Sequence, residues 1–320
     1  MAKLYAIGEA LIDFIPTTRD VALKDVKGFE PQVGGAPTNV ASRVAKLGAP
    51  SALITQLGQD AFGDRILETL EHESVDTTLI KRTTEANTGL AFVSLTASGE
   101  RDFAFYRKPS ADMLLEPQAV QVDFQPEDIL HFCSVDLVPS PMKATHEKVI
   151  QQMEEAKGTI IFDPNLRFPL WPSKDELKET VLEFLPKAHI VKISDEELSF
   201  LTGSEDESSI QNLIQGNTEI IIYTKGAKGA SIYTKEGEIA HHKGYKVEVQ
   251  DTTGAGDAFT GAFIYQLLEA QDTMMPFEYI QENAEKMLSF SNAVAALSTT
   301  RKGAIESLPI LDEISKLIDE

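Results

Sequence analysis

The chain has 320 residues, 42% hydrophobic and 25% charged, a balance that excludes collagen-like, disordered and low-complexity classes. Asp and Glu number 50 against 29 Lys and Arg, giving a formal net charge of −21, which disfavours a nucleic-acid backbone or an anionic membrane surface as partner. A phosphorylated small molecule stays compatible with such a chain if a helix N-terminus, a metal or a few placed cations receive the phosphates.

Leu4–Ile7 reads as a buried strand ended by Gly8, with no basic-then-apolar leader before it, so a signal peptide is not expected. Residues 16–33 read as a loop or small β excursion, and Pro37, after Gly34-Gly35-Ala36, suits the first turn of a helix running to about Leu47 before Gly48. Ser51–Leu57 is a strand, and residues 64–73 form an amphipathic helix with Ile66, Leu67 and Leu70 on one face. Residues 79–107 differ from the rest. Leu79-Ile80, Thr88–Thr96 and Asp102–Tyr106 are β-rich, with turns at Thr84-Glu85 and Ser98-Gly99-Glu100, and they read as one small β insertion. Alternation then resumes, with strands at 129–133, 159–162, 190–193 and 219–224 and helices at about 142–156, 175–185 and 195–202. This pattern predicts a mostly parallel sheet with helices on both faces. A hairpin (219–224 with 229–234) and three helices, at about 255–270, 276–298 and 309–319, close the chain. No linker divides it, so one domain over 1–320 is expected. No run of about 18 apolar residues predicts a membrane span. Cys133 is the single cysteine, which excludes an internal disulfide and fits the cytoplasm.

Five short stretches carry the chemistry. In Asp251-Thr252-Thr253-Gly254-Ala255-Gly256-Asp257, small residues open a helix, so amides at its N-terminus can receive phosphate. Asp257 opposes an anion there unless it has another task, such as taking a proton from an attacking hydroxyl. Gly34-Gly35-Ala36-Pro37-Thr38-Asn39 permits close approach of a ligand, with Asn39 able to donate to and accept from a polyol. Gly8-Glu9-Ala10-Leu11-Ile12-Asp13 follows the first strand, at the carboxyl end where open α/β sheets place ligands, and Asp13 can accept from two hydroxyls. Asp163-Pro164-Asn165-Leu166-Arg167 and Lys192-Ile193-Ser194-Asp195-Glu196-Glu197 also sit at strand ends. The absence of GxxxxGK[ST] and of GxGxxG excludes a P-loop and weakens a nicotinamide dehydrogenase.

Singly these are turns; in this order they resemble the ribokinase-like sugar kinases, the PfkB carbohydrate kinase family. The likeness runs from Ile7 to Ala304, with Gly34–Ala41 and Asp251–Asp257 as the two signatures. Phe103–Leu114, Phe162–Arg167 with Leu170-Trp171, and Lys192–Glu197 are most similar to the fructokinases of that family. The resemblance implies a three-layer α/β fold, its mainly parallel central sheet flanked by helices, with a small β-sheet lid drawn from about 14–33 and 79–110. It implies phosphorylation of D-fructose to fructose 6-phosphate by ATP. A 2-keto-3-deoxygluconate kinase is the alternative within the family, and a non-catalytic sugar or nucleotide sensor the alternative outside enzymes. By the same resemblance Asp257 is the base, and the amides of Gly254, Ala255 and Gly256 are the anion hole. Asp13, Gly34, Gly35, Asn39, Asn165 and Arg167 hold the sugar. Arg107 joins them from the lid, on one strand face with Phe103 and Phe105. Ser194, Thr224, Lys225, Gly226, Gly229 and Asn292 take the nucleotide. Ser194 stands where many members have Asn. Glu197 holds hydrated Mg²⁺, and Asp251 and Thr253, with backbone near Ser298 to Gly303, form a K⁺ loop. A homodimer through the lid is also implied.

Overall fold

The computed structural model describes residues 2–18, 20–95, 101–270 and 274–319. The chain runs β1 (Leu4–Ile7), β2 (Leu11–Pro16), β3 (Phe29–Gly34), α1 (Ala36–Leu47), β4 (Ser51–Gly58), α2 (Ala61–His72), β5 (Ile80–Thr83), β6 (Gly89–Leu95) and β7 (Arg101–Tyr106). It continues through β8 (Ile129–Cys133), α3 (Pro141–Ala156), β9 (Thr159–Asp163), α4 (Lys174–Phe184), β10 (Ile190–Ser194), α5 (Asp195–Thr202), β11 (Ile220–Thr224), β12 (Ala230–Thr234) and β13 (Gly237–His242). Helices α6 (Ala255–Ala270), α7 (Pro276–Ser298) and α8 (Leu311–Asp319) close it.

Nine strands form one sheet in the order β13-β12-β11-β10-β9-β8-β1-β4-β5, and four form another in the order β3-β2-β6-β7. The large sheet is parallel from β11 to β5; β12 and β13 are its antiparallel edge. Its central strands are mostly apolar because both faces are covered, whereas the edge strands β5 and β13 are more polar. Leu130, Ile160, Phe162, Val191 and Ile193 pack with Val149, Val181 and Phe184 of α3 and α4. Ile129, Ile161, Ile190 and Ile220 pack on the other side with Val40, Phe263 and Met287 of α1, α6 and α7. This is the expected layered α/β architecture.

Two expectations are corrected. The strand at Leu79-Ile80 is not part of the small sheet: β5 pairs in parallel with β4, Thr55 opposite Ile80, and extends the large one. The small sheet instead begins at Leu11, ahead of the 14–33 stretch expected to start the lid. β2 pairs antiparallel with β3 and parallel with β6, so this sheet is mixed. Helix α2 starts three residues earlier than expected because Asp60, not the first apolar residue, is its N-cap, accepting from the amides of Phe62 and Gly63. The turn expected at Ser98–Glu100 lies outside the described residues.

Candidate active site

The carboxyl ends of β1, β9 and β10 face the small sheet across a cavity of about 360 Å³. Leu11, Asp13 and Ile15 of β2, Val93 of β6 and Phe105 of β7 line one side. Gly35, Ala36 and Asn39 at the start of α1, Asn165 and Arg167 after β9, Lys192, Ser194 and Glu197, and Thr252 to Asp257 line the other. Five stretches remote in sequence thus meet in one place, as expected of strand ends in an open α/β sheet.

Asp257 sits in the first turn of α6 and is buried. The Asn39 amide donates to its Oδ2 at 2.8 Å and the Asn165 amide to its Oδ1 at 3.4 Å. Burial raises the Asp257 pKa above the usual carboxylate range, and the Asn39 N–H opposes this. Asn165 can aim its amide there because it adopts φ of 44°, a left-handed conformation that Asn tolerates. Gly254, at φ 71°, makes the turn into α6, whose first amides have no acceptors within the helix. Carboxylate and amides therefore face the same space: a group that can take a proton beside donors that can receive developing negative charge.

At the sugar end foreseen from the sequence, Asp13, Gly35 and Asn39 line the cavity. Gly34 does not; a Cβ on it would collide with the Asp13 carboxylate, so it makes room for that side chain. Arg167 lines the wall and donates to the Leu166 carbonyl at 3.1 Å.

At the other end, Ser194 and Glu197 form a capping box on α5. Ser194 Oγ accepts the Glu197 amide at 3.2 Å, and Glu197 Oε2 accepts the Ser194 amide at 2.8 Å. Glu197 Oε1 accepts the Leu166 amide at 3.2 Å. Among the described residues no cluster of three His, Cys, Asp or Glu could enclose a metal. Thr224 is the register partner of Ser194 and so lies beside it. Lys225, Gly226 and Gly229 form the following turn, with Lys225 paired to Glu207 at 2.8 Å. Asn292, on α7, donates to the Leu288 carbonyl at 2.8 Å. None of Thr224, Lys225, Gly226, Gly229 and Asn292 lines the cavity. Asp251 accepts from Thr253, amide and hydroxyl, and from the Gly303 amide at 3.2 Å, which ties the 251–253 loop to the segment after α7.

Arg107 departs from its expected place. It follows β7, is 4% exposed, and does not line the cavity. Its guanidinium pairs with Asp112 and Asp136, both buried. Burial alone would lower its pKa, but the two carboxylates outweigh that and keep it charged. Phe105 does line the cavity, but strand alternation could not show the two acids that take Arg107 at the strand end. The side chain of Phe103 lies outside the described residues.

Three wall or support residues were given no role in the sequence reading. Glu9 lines the cavity, and its Oε1 accepts the Ala36 amide at 2.8 Å, capping α1 where Gly35 has no side chain to do so. Asp136 belongs to the Arg107 cluster. Lys192 lies in the cavity wall, paired with Asp163. A lysine inside the apolar run Ile190-Val191-Lys192-Ile193 was the one available signal.

Comparison with known proteins adds an independent finding. The profile described as pfkB family carbohydrate kinase matches residues 1–311. The chain is 39% identical to probable fructokinase-4 of Arabidopsis thaliana over 98% of this chain and 96% of that protein. Its fold is similar to that of a fructokinase from Xylella fastidiosa solved with bound ATP, with a TM-score of 0.90 and 33% identity, covering 99% and 98% of the two chains. A double mutant of a fructokinase from Vibrio cholerae O395, solved with fructose, ADP and a potassium ion, gives a TM-score of 0.89 and 33% identity over 99% and 98%.

Proposed function

Since the chain belongs to the pfkB family of carbohydrate kinases, we propose that it transfers the γ-phosphoryl group of ATP to D-fructose, giving fructose 6-phosphate and ADP. The observation that carries this reading is Asp257, held by Asn39 and Asn165 at the N-terminus of α6 and facing the cavity. Fructose is the substrate in the name of the Arabidopsis relative and the ligand of the Vibrio structure.

In this reading Asp257 takes the proton of the attacking hydroxyl, and the amides of Gly254, Ala255 and Gly256 receive charge that develops on the phosphoryl oxygens. Asp13, Gly35, Asn39, Asn165 and Arg167 orient the sugar. Ser194 and the Thr224–Gly229 turn flank the nucleotide, with Asn292 behind it. Mg²⁺, when bound with the nucleotide, neutralises phosphate charge, and Glu197 would hold its water. We assign K⁺ to the loop that Asp251 ties together, with Thr253. The small sheet covers the sugar, and Val93 and Phe105 keep water from it. We also infer a homodimer through this sheet, which would cover Tyr106, now 66% exposed. A cytoplasmic location suits the one free thiol, Cys133. No described helix is long and apolar enough to cross a membrane.

The test is ADP release with fructose, ribose, glucose and 2-keto-3-deoxygluconate. Fructose should give the highest kcat/KM. If no sugar stimulates release, the kinase reading fails; if the sugar acid wins, only the choice of sugar fails.

A further inference from the structure

Lys192 is a buried cation that the reading so far leaves without a task. It is the third residue of β10, and the pleat turns it away from Val191 and Ile193, which pack with α4, toward the face that α1 and α6 cover. Its ammonium meets both oxygens of Asp163, the last residue of β9, at 3.2 and 3.1 Å. Asp163 is 1% exposed, and Thr260 of α6 reaches it at 3.4 Å. Burial by itself would discharge Lys192, but Asp163 first and Glu197 next outweigh burial and keep the ammonium protonated.

Its position is unfavourable unless an anion arrives. A Cβ built on Gly256 would stand 3.4 Å from Lys192 Nζ, so the cation lies against the first turn of α6. That turn carries the positive end of the helix dipole, where cations are disfavoured and phosphates favoured. A buried pair is also commonly no better for stability than apolar residues of the same size. The surrounding strand, Ile190 to Ile193, is otherwise apolar. An ammonium has three donors; one carboxylate occupies two of them at most, and Lys192 itself forms part of the cavity wall.

We propose that Lys192 is a catalytic residue that contacts the transferring phosphoryl group, with Asp163 as the positioning residue that fixes its ammonium. This rests on the kinase reading of the same cavity and deepens it. The amides of α6 receive one side of the phosphoryl group and Lys192 another, so charge that grows during transfer meets a donor already in place. A side chain at position 256 would grow toward the Lys192 ammonium, its Cβ already in contact with Nζ at 3.4 Å.

The experiment compares wild type with Lys192→Met, and reads turnover and nucleotide binding separately. Removing one preorganised donor to developing charge typically lowers kcat by about 10²- to 10³-fold, and that loss is expected here, with the fructose KM within a few fold. Calorimetry should show ADP affinity little changed and affinity for a non-hydrolysable ATP analogue reduced about tenfold or more, since only the analogue presents a third phosphate. A purely structural role would weaken both nucleotides alike, or neither, and would overturn the proposal. So would a folded variant with kcat within about threefold of wild type. Should Lys192→Met not fold, Lys192→Arg decides: it keeps the charge and displaces it, so kcat should fall at least tenfold with thermal stability retained, and unchanged kcat refutes the role. Because binding is measured without turnover, the result on Lys192 stands even if no sugar in the panel proves to be a substrate.

Discussion

The two ends of the cavity are built differently. In the proposed reading the phosphoryl end is mostly backbone: residues 252–257 turn into α6, and Gly254, Ala255 and Gly256 with their amides make the cradle. The end assigned there to the sugar is side chains brought together from β2, α1, the loop after β9 and the small sheet. A contiguous cradle tolerates little change and is written as a motif in one stretch. A converging set can change one member at a time, and its members reveal their task only when the fold has assembled them.

The largest expected effect is at the junction of the ends. Asp257→Asn should leave folding and ATP binding intact and lower kcat by about 10²- to 10⁴-fold. Burial raises the Asp257 pKa, and a base works only when deprotonated. The acid limb of kcat/KM should therefore begin above the pH at which an ordinary aspartate titrates, with activity falling as pH falls through it. A limb at the ordinary position would show that Asp257 is solvated in the working enzyme, and the two ends would then not share a dry site.

Next comes the support of the sugar end. Arg107→Ala leaves Asp112 and Asp136 as buried acids without their cation. Breaking a buried pair by removing one partner costs about 3–5 kcal/mol, and chemical denaturation should show a loss of that order. Any fall in fructose use should follow the loss of fold rather than a change in KM alone. A stable variant with a raised fructose KM would return Arg107 to the cavity. Asp13→Ala should do the reverse: stability near wild type, ATP KM little changed, and fructose KM raised by the loss of a charged hydrogen-bond partner, about 1.5–3 kcal/mol or roughly 10- to 150-fold. Equal effects on both substrates would mean that the ends are not separable.

The same contrast explains what the sequence disclosed. The strand–helix alternation, α1 after Gly35 and α6 after Gly254 were legible because each depends on local pattern. Asp257 and Asn39 were legible as motif members, and the fold brings them within 2.8 Å. Arg107 was misplaced because an arginine at a strand end is equally compatible with a ligand and with two buried carboxylates, here Asp112 and Asp136, supplied from later in the chain. Glu9 was quoted without a role because its partner, the Ala36 amide, is 27 residues away. β5 was assigned to the wrong sheet because four residues, Ile80–Thr83, carry no sign of which edge they will join.

The smallest effect concerns Ser194, where the position faces both a helix and the cavity. Its hydroxyl accepts the Glu197 amide, so it is first an N-cap. Ser194→Ala should cost about 1 kcal/mol of stability and loosen Glu197, whose Oε2 holds the Ser194 amide in return. Ser194→Asn separates capping from contact, because Asn caps as well as Ser and its amide reaches further. Stability should be unchanged. If the nucleotide phosphates lie beside this strand end, the longer side chain adds a donor toward them and the ATP KM should fall a few fold, with fructose KM constant. An unchanged ATP KM in a folded Ser194→Asn variant would confine Ser194 to capping, leaving the phosphates to the amides of α6. A raised fructose KM would instead show that β10 serves the sugar end, and the division of the cavity would have to be drawn on the other side of Ser194.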